Sequence, residues 1–135
     1  MINSGKFDMT KVTIQTSCAN SPKREFLKDF NVAFGTGDAE LIIANVTDDI
    51  HWQILGDKII DGIEDFQKNF KDMASTTKVN EITIDQVISH GKEGAVNGLI
   101  TLKNGEQYAF ADFYLFKNTK STLIQSITSY VIKVK

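Results

Sequence analysis

The second half of the chain most constrains the fold, because it reads as four consecutive strands joined by short turns. The predicted strands cover residues 79–89, 95–102, 107–116 and 122–134. Asn104-Gly105 is a strong signal for a two-residue hairpin turn, and Gly91 and Gly94 flank another reversal. Since short links between successive strands favour neighbouring antiparallel pairs, this half of the chain predicts an antiparallel meander.

The first half carries helical patterns. Ser21 followed by Pro22 predicts a helix start. Asp38 predicts the cap of a short second helix, and Asp61 with Glu64 matches a capping box at the start of a third. The first helix has one apolar stripe, formed by Phe26, Leu27, Phe30, Ala33 and Phe34. Helices first and strands after predict an α+β fold, in which a curved antiparallel sheet of five to six strands wraps around two to three N-terminal helices.

The length of 135 residues predicts one domain, covering residues 21–135. Residues 1–20 are predicted as a flexible or loosely packed lead-in. A short strand that includes Val12 and Ile14 is the alternative. The net charge of −2, without a Lys/Arg cluster, argues against nucleic-acid or membrane-surface partners. No signal region or membrane span is evident, which predicts a cytoplasmic protein.

Few residues are suited to metal, cofactor or nucleophilic chemistry. His51 and His90 are the only histidines and lack ligand partners at helical or strand spacing. Cys18 is alone, which excludes an intramolecular disulfide and a cysteine-based metal site. The chain has no phosphate-binding glycine loop and no nucleophile elbow. We therefore predict neither a metal nor a cofactor.

Asp112 stands in the most hydrophobic stretch of the chain, residues 108–116. Side chains alternate faces along a strand, so Asp112 shares one face with Phe110 and Tyr114. A carboxylate in such surroundings needs a partner, a proton or a cavity. Desolvation raises a carboxyl pKa into the range where it acts as general acid or base. The residues alone favour the simpler interpretation, a buried structural aspartate, over a functional one by about two to one.

His51 and Gln53 share one face of an early strand, and Trp52 lies on the other with Ile50 and Ile54. Both polar side chains can point to solvent or into a cavity opposite Asp112. The pattern by itself favours solvent, and it predicts Trp52 as a core residue.

Five short motifs in this order resemble the nuclear transport factor 2-like superfamily, and within it the SnoaL-like group of polyketide cyclase and steroid isomerase relatives. The resemblance covers roughly residues 21–134, and the motifs are FNVAFGTGD (30–38), DDIHW (48–52), GIEDFQKNF (62–70), ADFYLF (111–116) and ITSY (127–130). The resemblance implies a cone-like, cystatin-like fold with an apolar pocket between sheet and helices. It also implies a homodimer formed through the outer sheet face.

By the same resemblance, a set of residues should face the pocket. Asp112 and His51 would be the catalytic candidates. The ligand-binding candidates would be Gln53, Phe110, Tyr114, Ile127, Ser129 and Phe30.

The chain also departs from the family's enzymes. The epoxide hydrolases use an Asp-Arg-Asp set, and here Phe110 and Ser129 replace the Arg and the second Asp. The isomerases place a carboxylate base on the first strand, where this chain offers His51 or Gln53. We therefore expect a protein that binds an apolar small molecule around Asp112. The alternative is an isomerase, cyclase or hydratase that uses Asp112 as general acid/base on an apolar carbonyl compound.

Overall fold

The computed structural model describes residues 10–135; residues 1–9, part of the predicted lead-in, lie outside them. None of the helices in this part of the chain is long and apolar enough to cross a membrane. The elements follow in the order β1 (Lys11–Ile14), α1 (Pro22–Thr36), α2 (Ala39–Ala44), β2 (Val46–Ile54), β3 (Lys58–Asp61), α3 (Ile63–Thr76), β4 (Val79–His90), β5 (Glu93–Leu102), β6 (Gln107–Phe116) and β7 (Ile124–Lys133).

Two helix starts follow the predicted capping chemistry and one does not. The Ser21 hydroxyl accepts a hydrogen bond from the Arg24 backbone N–H at 3.2 Å, and Asp38 caps α2 in the same way. The N-cap of α3 is Gly62, which has no side chain to donate or accept. The predicted capping box is therefore wrong. Asp61 ends β3 instead, where its carboxylate contacts His51.

The α+β cone-like fold is confirmed, but the sheet has seven strands rather than five or six, in the order β1-β4-β5-β6-β7-β2-β3. The strand beyond this count is β1, which has four residues and lies in the predicted lead-in, where the sequence left a short strand as an alternative. The predicted meander β4 to β7 is antiparallel, whereas β1 pairs with β4 and β2 pairs with β7 in parallel. Parallel partners lie far apart along the chain, so local turn signals do not reveal them.

The helices cover one face of this sheet, and the space between them divides into two regions. The first, which we call the packed half, is filled by side chains with no solvent exposure: Leu27, Phe30, Ile42, Ile50, Phe116 and Ile124. The second, the open half, lies toward the other ends of α1 and β6, around Phe34 and Phe110, and encloses a cavity.

Two glycines of β5 allow the close approaches that shape this sheet. A Cβ at position 94 would lie 2.5 Å from Leu27 Cδ1, so Gly94 lets α1 rest directly on the sheet. A Cβ at position 98 would lie 1.9 Å from the Thr83 carbonyl oxygen and 3.0 Å from the Phe110 ring. Gly98 therefore allows the Phe110 ring to lie against β5 and form a wall of the open half.

Candidate active site: a buried carboxyl at the inner end of a cavity

A layer of polar side chains separates the packed half from the open half. It comes from four elements and we call it the polar layer; its members are Asn31 of α1, Trp52 of β2, Asp112 and Tyr114 of β6, and Ser129 of β7. All five line the cavity. Asn31 and Ser129 are the buried polar residues of the described chain, at 2% and 5% exposure.

Strand register places the sheet members of this layer on the inner face. Asp112 is the cross-strand partner of Ser129, and Ser129 is in turn the partner of Ile54. In the adjacent row, Tyr114 and Trp52 both pair with Ile127. Because directly paired residues share a face, both rows point toward the helices.

Asn31 orients the Tyr114 hydroxyl. The Asn31 amide nitrogen donates to the Leu27 carbonyl at 2.8 Å and to the Tyr114 oxygen at 3.0 Å. The Tyr114 hydroxyl has two acceptors within reach of its proton, the Asn31 amide oxygen at 3.2 Å and Asp112 Oδ2 at 3.4 Å; with its own oxygen accepting from the Asn31 amide nitrogen, it can direct that proton to Asp112. Burial raises the pKa of Tyr114, and the nearby Asp112 charge adds to that effect. Tyr114 therefore remains a proton donor.

A second chain of hydrogen bonds approaches Asp112 from the other side. The Trp52 indole N–H donates to the Ser129 hydroxyl oxygen at 2.9 Å. The indole has only a donor to offer, so the Ser129 hydroxyl keeps its own proton for Asp112. Trp52 is itself buried, with its ring packed against Phe34 and Phe66.

The pKa of the Asp112 carboxyl is raised to about 6. Desolvation by burial is the largest cause, and hydrogen bonds from Ser129 and Tyr114 offset part of it. The side chain keeps some accessible surface because it faces the cavity, while protein atoms still exclude most water around it. The carboxyl therefore changes its protonation state near neutral pH.

The cavity in front of Asp112 has a volume of about 530 Å³. Its walls are mostly apolar and include Phe34, Phe70, Ile100, Phe110 and Ile127. The other lining carboxylate, Asp57, lies in the exposed turn between β2 and β3. Asp112 is therefore the one carboxyl at the inner end of the cavity, among residues 10–135.

Most of the predicted site residues meet at this cavity. Phe110, Asp112, Tyr114, Ile127 and Ser129 all line it, as the resemblance implied, and their roles in binding or catalysis stay predictions. Phe30 does not line it. Its fully buried ring packs against Tyr114 in the packed half, and Phe34, one helical turn later, faces the cavity instead.

His51 and Gln53 do not face the cavity, so their predicted placement is wrong. Their cross-strand partners on β7 are Ser126 and Thr128, which belong to the outer face of the sheet. The His51 ring nitrogen Nδ1 instead lies 2.5 Å from the carboxylate of Asp61, at the surface. A shift of one residue reverses every side chain of a strand, and the apolar Trp52 and Ile54 take the inner positions.

Two members of the polar layer were not predicted as site residues. Asn31 falls on the apolar stripe of α1, between Phe30 and Phe34, and a polar residue on a buried stripe is a usable signal. Trp52 was predicted as a core residue, and its ring is indeed buried. Its indole N–H also needs a buried acceptor, which is the Ser129 hydroxyl of the polar layer. Residues 10–135 hold no group of three or more His, Cys, Asp or Glu side chains that could bind a metal ion.

Comparisons with solved structures agree with this fold. An NTF2-like protein of unknown function from Cytophaga hutchinsonii ATCC 33406 is 24% identical, with a TM-score of 0.64 over 82% of this chain and 99% of that chain. A putative ketosteroid isomerase from Kribbella flavida DSM 17836 is 15% identical, with a TM-score of 0.70 over 84% and 79%. An LEH-like epoxide hydrolase from M. tuberculosis is 16% identical, with a TM-score of 0.69 over 82% of each. Identities this low show the fold alone.

A comparison with curated proteins gave no significant match. The family model of the SnoaL-like domain matches residues 27–124, which is well over half of the chain. This match contains most of α1, the strands β2 to β6 and the whole polar layer except Ser129. The predicted family is thus confirmed: the chain belongs to the SnoaL-like family.

Proposed function

We propose that this protein binds an apolar small molecule in the cavity of its open half and holds a carbonyl or hydroxyl group of that molecule with Asp112. The observation that carries the proposal is one carboxyl at the inner end of a cavity of about 530 Å³ whose walls are mostly apolar. Small-molecule sites commonly have volumes of about 300–1,000 Å³ and a few convergent polar groups.

Asp112 can hold a ligand in either of its protonation states. Below its pKa of about 6 the carboxyl can donate a hydrogen bond to a ligand carbonyl. Above that pH the carboxylate accepts from a ligand hydroxyl, while Tyr114 and Ser129 stabilise the charge. The layer therefore anchors a single polar atom at the inner end of an apolar molecule.

Trp52, the only tryptophan of the chain, allows a direct test because it lines the cavity. Methyl 11-oxododecanoate should change Trp52 fluorescence in a saturable way. At pH 5 it should bind about tenfold more tightly than methyl dodecanoate, because its ketone accepts a hydrogen bond from protonated Asp112. The Asp112→Leu variant should bind both esters equally well.

The His51→Gln variant is the matched control, since it also removes an ionisable side chain but on the outer face. It should keep the tenfold preference for the ketone. A folded native protein without any saturable fluorescence change would contradict the proposal. So would a preference for the ketone that survives in Asp112→Leu.

A second candidate function is acid–base catalysis on an apolar carbonyl compound. A carboxyl with a pKa of about 6, with a tyrosine hydroxyl 3.4 Å away, is suited to remove a proton next to a carbonyl group. Two structural relatives have enzymatic names, a putative ketosteroid isomerase and an epoxide hydrolase. However, β2 contributes Trp52 and Ile54 to the cavity wall, and neither side chain is a base.

Deuterium exchange distinguishes catalysis from binding alone. In D₂O near neutral pD the carboxylate of Asp112 would accept a proton from carbon 10 or 12 of methyl 11-oxododecanoate, and deuterium would replace it. NMR should detect exchange with native protein and none above background with Asp112→Asn. If the native protein binds the ketone without accelerating exchange, the binding function stands and this catalytic alternative is contradicted.

We also propose that two copies of the chain associate through the outer sheet face, as the family resemblance implies. This face exposes large apolar side chains, among them Ile88 at 61%, Phe113 at 53% and Ile132 at 65%. Contiguous exposed apolar surface of this kind marks interaction sites. On the same face the Asn97 amide oxygen is buried without a hydrogen-bond partner among the described residues.

Light scattering after size exclusion tests this association. The native chain of 15.1 kDa should elute with twice that mass, and Phe113→Glu should reduce it to the monomer. Met73→Glu places the same charge on an exposed apolar side chain of α3 and should leave the dimer intact. A native monomer at micromolar concentration would contradict the proposed interface.

A further inference from the structure

The mouth of the cavity carries positive charge. Lys58, Lys78 and Lys103 all line it and are all exposed, whereas Asp57 is the one carboxylate that lines the mouth with them among the described residues. The chain as a whole has a net charge of −2. The excess of ammonium groups is therefore local to the mouth.

The three lysines approach the mouth from two sides. Lys78 and Lys103 lie at adjoining ends of β4 and β5, where the Lys103 backbone N–H donates to the Lys78 carbonyl at 2.9 Å. Lys58 begins β3 on the other side, and its ammonium group donates to the neutral amide oxygen of Asn69 at 3.1 Å. Within residues 10–135, none of the three ammonium groups has a carboxylate within 4 Å.

The negative ends of two helices offset only part of this positive charge. α1 and α3 both end at the mouth, where Gly37 and Thr77 line the cavity. The carboxyl end of a helix carries roughly half of a negative charge. Two such ends and the Asp57 carboxylate leave the three ammonium groups in excess, so the mouth can still attract an anion.

The three lysines of the mouth and Asp112 lie at opposite ends of one cavity. Lys58 pairs with Ile54, Ile54 with Ser129, and Ser129 with Asp112. Measured along the curved sheet, three strand spacings of about 4.8 Å put the Lys58 backbone at most about 14 Å from that of Asp112. Apolar side chains such as Met73 and Ile100 line the space between the two ends.

We propose that the ligand is an amphiphilic anion, whose apolar chain fills the cavity with its carbonyl or hydroxyl group at Asp112 and its acidic group among Lys58, Lys78 and Lys103. This inference rests on the proposed binding function and names the ligand class. The orientation follows from charge. An ionised Asp112 repels an acidic group at the inner end, while the three lysines attract it at the mouth.

The test compares 11-hydroxydodecanoate with its uncharged methyl ester, both measured by Trp52 fluorescence at pH 7.5, where the ionised Asp112 accepts a hydrogen bond from the ligand hydroxyl group. At low salt the acid should bind about fivefold more tightly than the ester, and added salt should reduce this difference. In the triple variant Lys58→Gln/Lys78→Gln/Lys103→Gln, the acid should lose this advantage and the ester should bind as before.

The matched control is Lys92→Gln/Lys117→Gln/Lys120→Gln, which changes the net charge equally at exposed positions around the β4–β5 and β6–β7 turns. It should keep most of the preference for the acid. Two outcomes would refute the anion-binding site while ligand binding stands. The first is that both triple variants weaken acid binding equally, and the second is that the native protein binds acid and ester equally. If neither compound binds, the proposed function itself fails, and this inference fails with it.

Discussion

The packed half and the open half are built from the same helix and the same strands, and yet they differ in what their side chains contact. In the packed half, Phe30 and Phe116 are fully buried. In the open half, Phe34 and Phe110 each pack on one side and face the cavity on the other. One helix–sheet interface therefore holds close-packed side chains at one end and a cavity at the other, with the polar layer between them.

The largest difference between the halves should appear when an aromatic ring is removed from each. Phe116→Ala should lower the free energy of unfolding by about 3–5 kcal/mol, because it leaves a void within close-packed side chains. Phe110→Ala should cost roughly half of that, because it enlarges an existing cavity. Urea denaturation measures both losses. Equal losses would contradict the proposed difference in packing between the two halves.

Asp112 should destabilise the folded protein near neutral pH. Its pKa is about 6 when folded and 3.8 by reference, so burial of the charge costs about 3 kcal/mol at pH 7.5. As pH falls below 6 the folded protein takes up the proton first, and the cost declines to about 1 kcal/mol at pH 4.5. Asp112→Asn should therefore be more stable than native by these amounts.

Urea unfolding of both proteins at the two pH values checks this sign. Other carboxyl groups, such as Asp49 and Glu106 with lowered pKa values, contribute equally to both proteins and cancel in the difference. A difference that grows toward acid pH would show that Asp112 is stabilised as a carboxylate, contrary to its apolar surroundings.

The polar layer should also set the pKa of Asp112. Tyr114→Phe removes a hydrogen-bond donor to the carboxylate, so the pKa of Asp112 should rise further. Stability should fall by about 1 kcal/mol at a pH where Asp112 is protonated, because Asn31 loses a partner. Carbon-13 NMR titration of the Asp112 carboxyl provides the measurement.

Tyr130→Phe is the control for that titration, since it deletes a tyrosine hydroxyl from the exposed outer face. It should leave the Asp112 titration unchanged. An unchanged titration in Tyr114→Phe would mean that Asn31 holds the hydroxyl proton away from the carboxylate.

The smallest effect is expected outside both halves, at His51. Its side chain is 44% exposed and paired with Asp61 at the surface. His51→Gln should change the free energy of unfolding by about 0.5 kcal/mol or less. If this variant weakened the Trp52 fluorescence response to a ketone, a residue on the outer face would affect binding in the cavity. The separation between the outer face and the open half would then be wrong.

Local sequence signals predicted much of this fold. Ser21, Asp38 and the turn residues between β4, β5 and β6 specify element ends through short-range hydrogen bonds and backbone preferences. The parallel pairs β1–β4 and β2–β7 were not predictable in that way, because they depend on contacts between distant segments. The antiparallel meander was predicted, and the two parallel pairs were not.

The candidate site was predicted only in part. Asp112 was evident because a charge in an apolar strand is unusual, and its inner-face neighbours on β6 followed from alternation. The face of β2 was misassigned because an analogy with the family replaced the apolar pattern of Trp52 and Ile54. The role of Gly98 was not predictable from the sequence. A side chain is excluded at this position by the Thr83 carbonyl oxygen, which lies on another strand.

The parallel pairing of β2 with β7 has a consequence for how the chain folds. His51 and its partner Ser126 are separated by more than half of the chain length. While the chain is being synthesised, β2 can pair only with the four-residue β3, and an isolated two-stranded hairpin is marginal in water. The wall that contains Trp52 must therefore wait for the last strand, so the cavity is completed late and folding should be slow for a domain of this size.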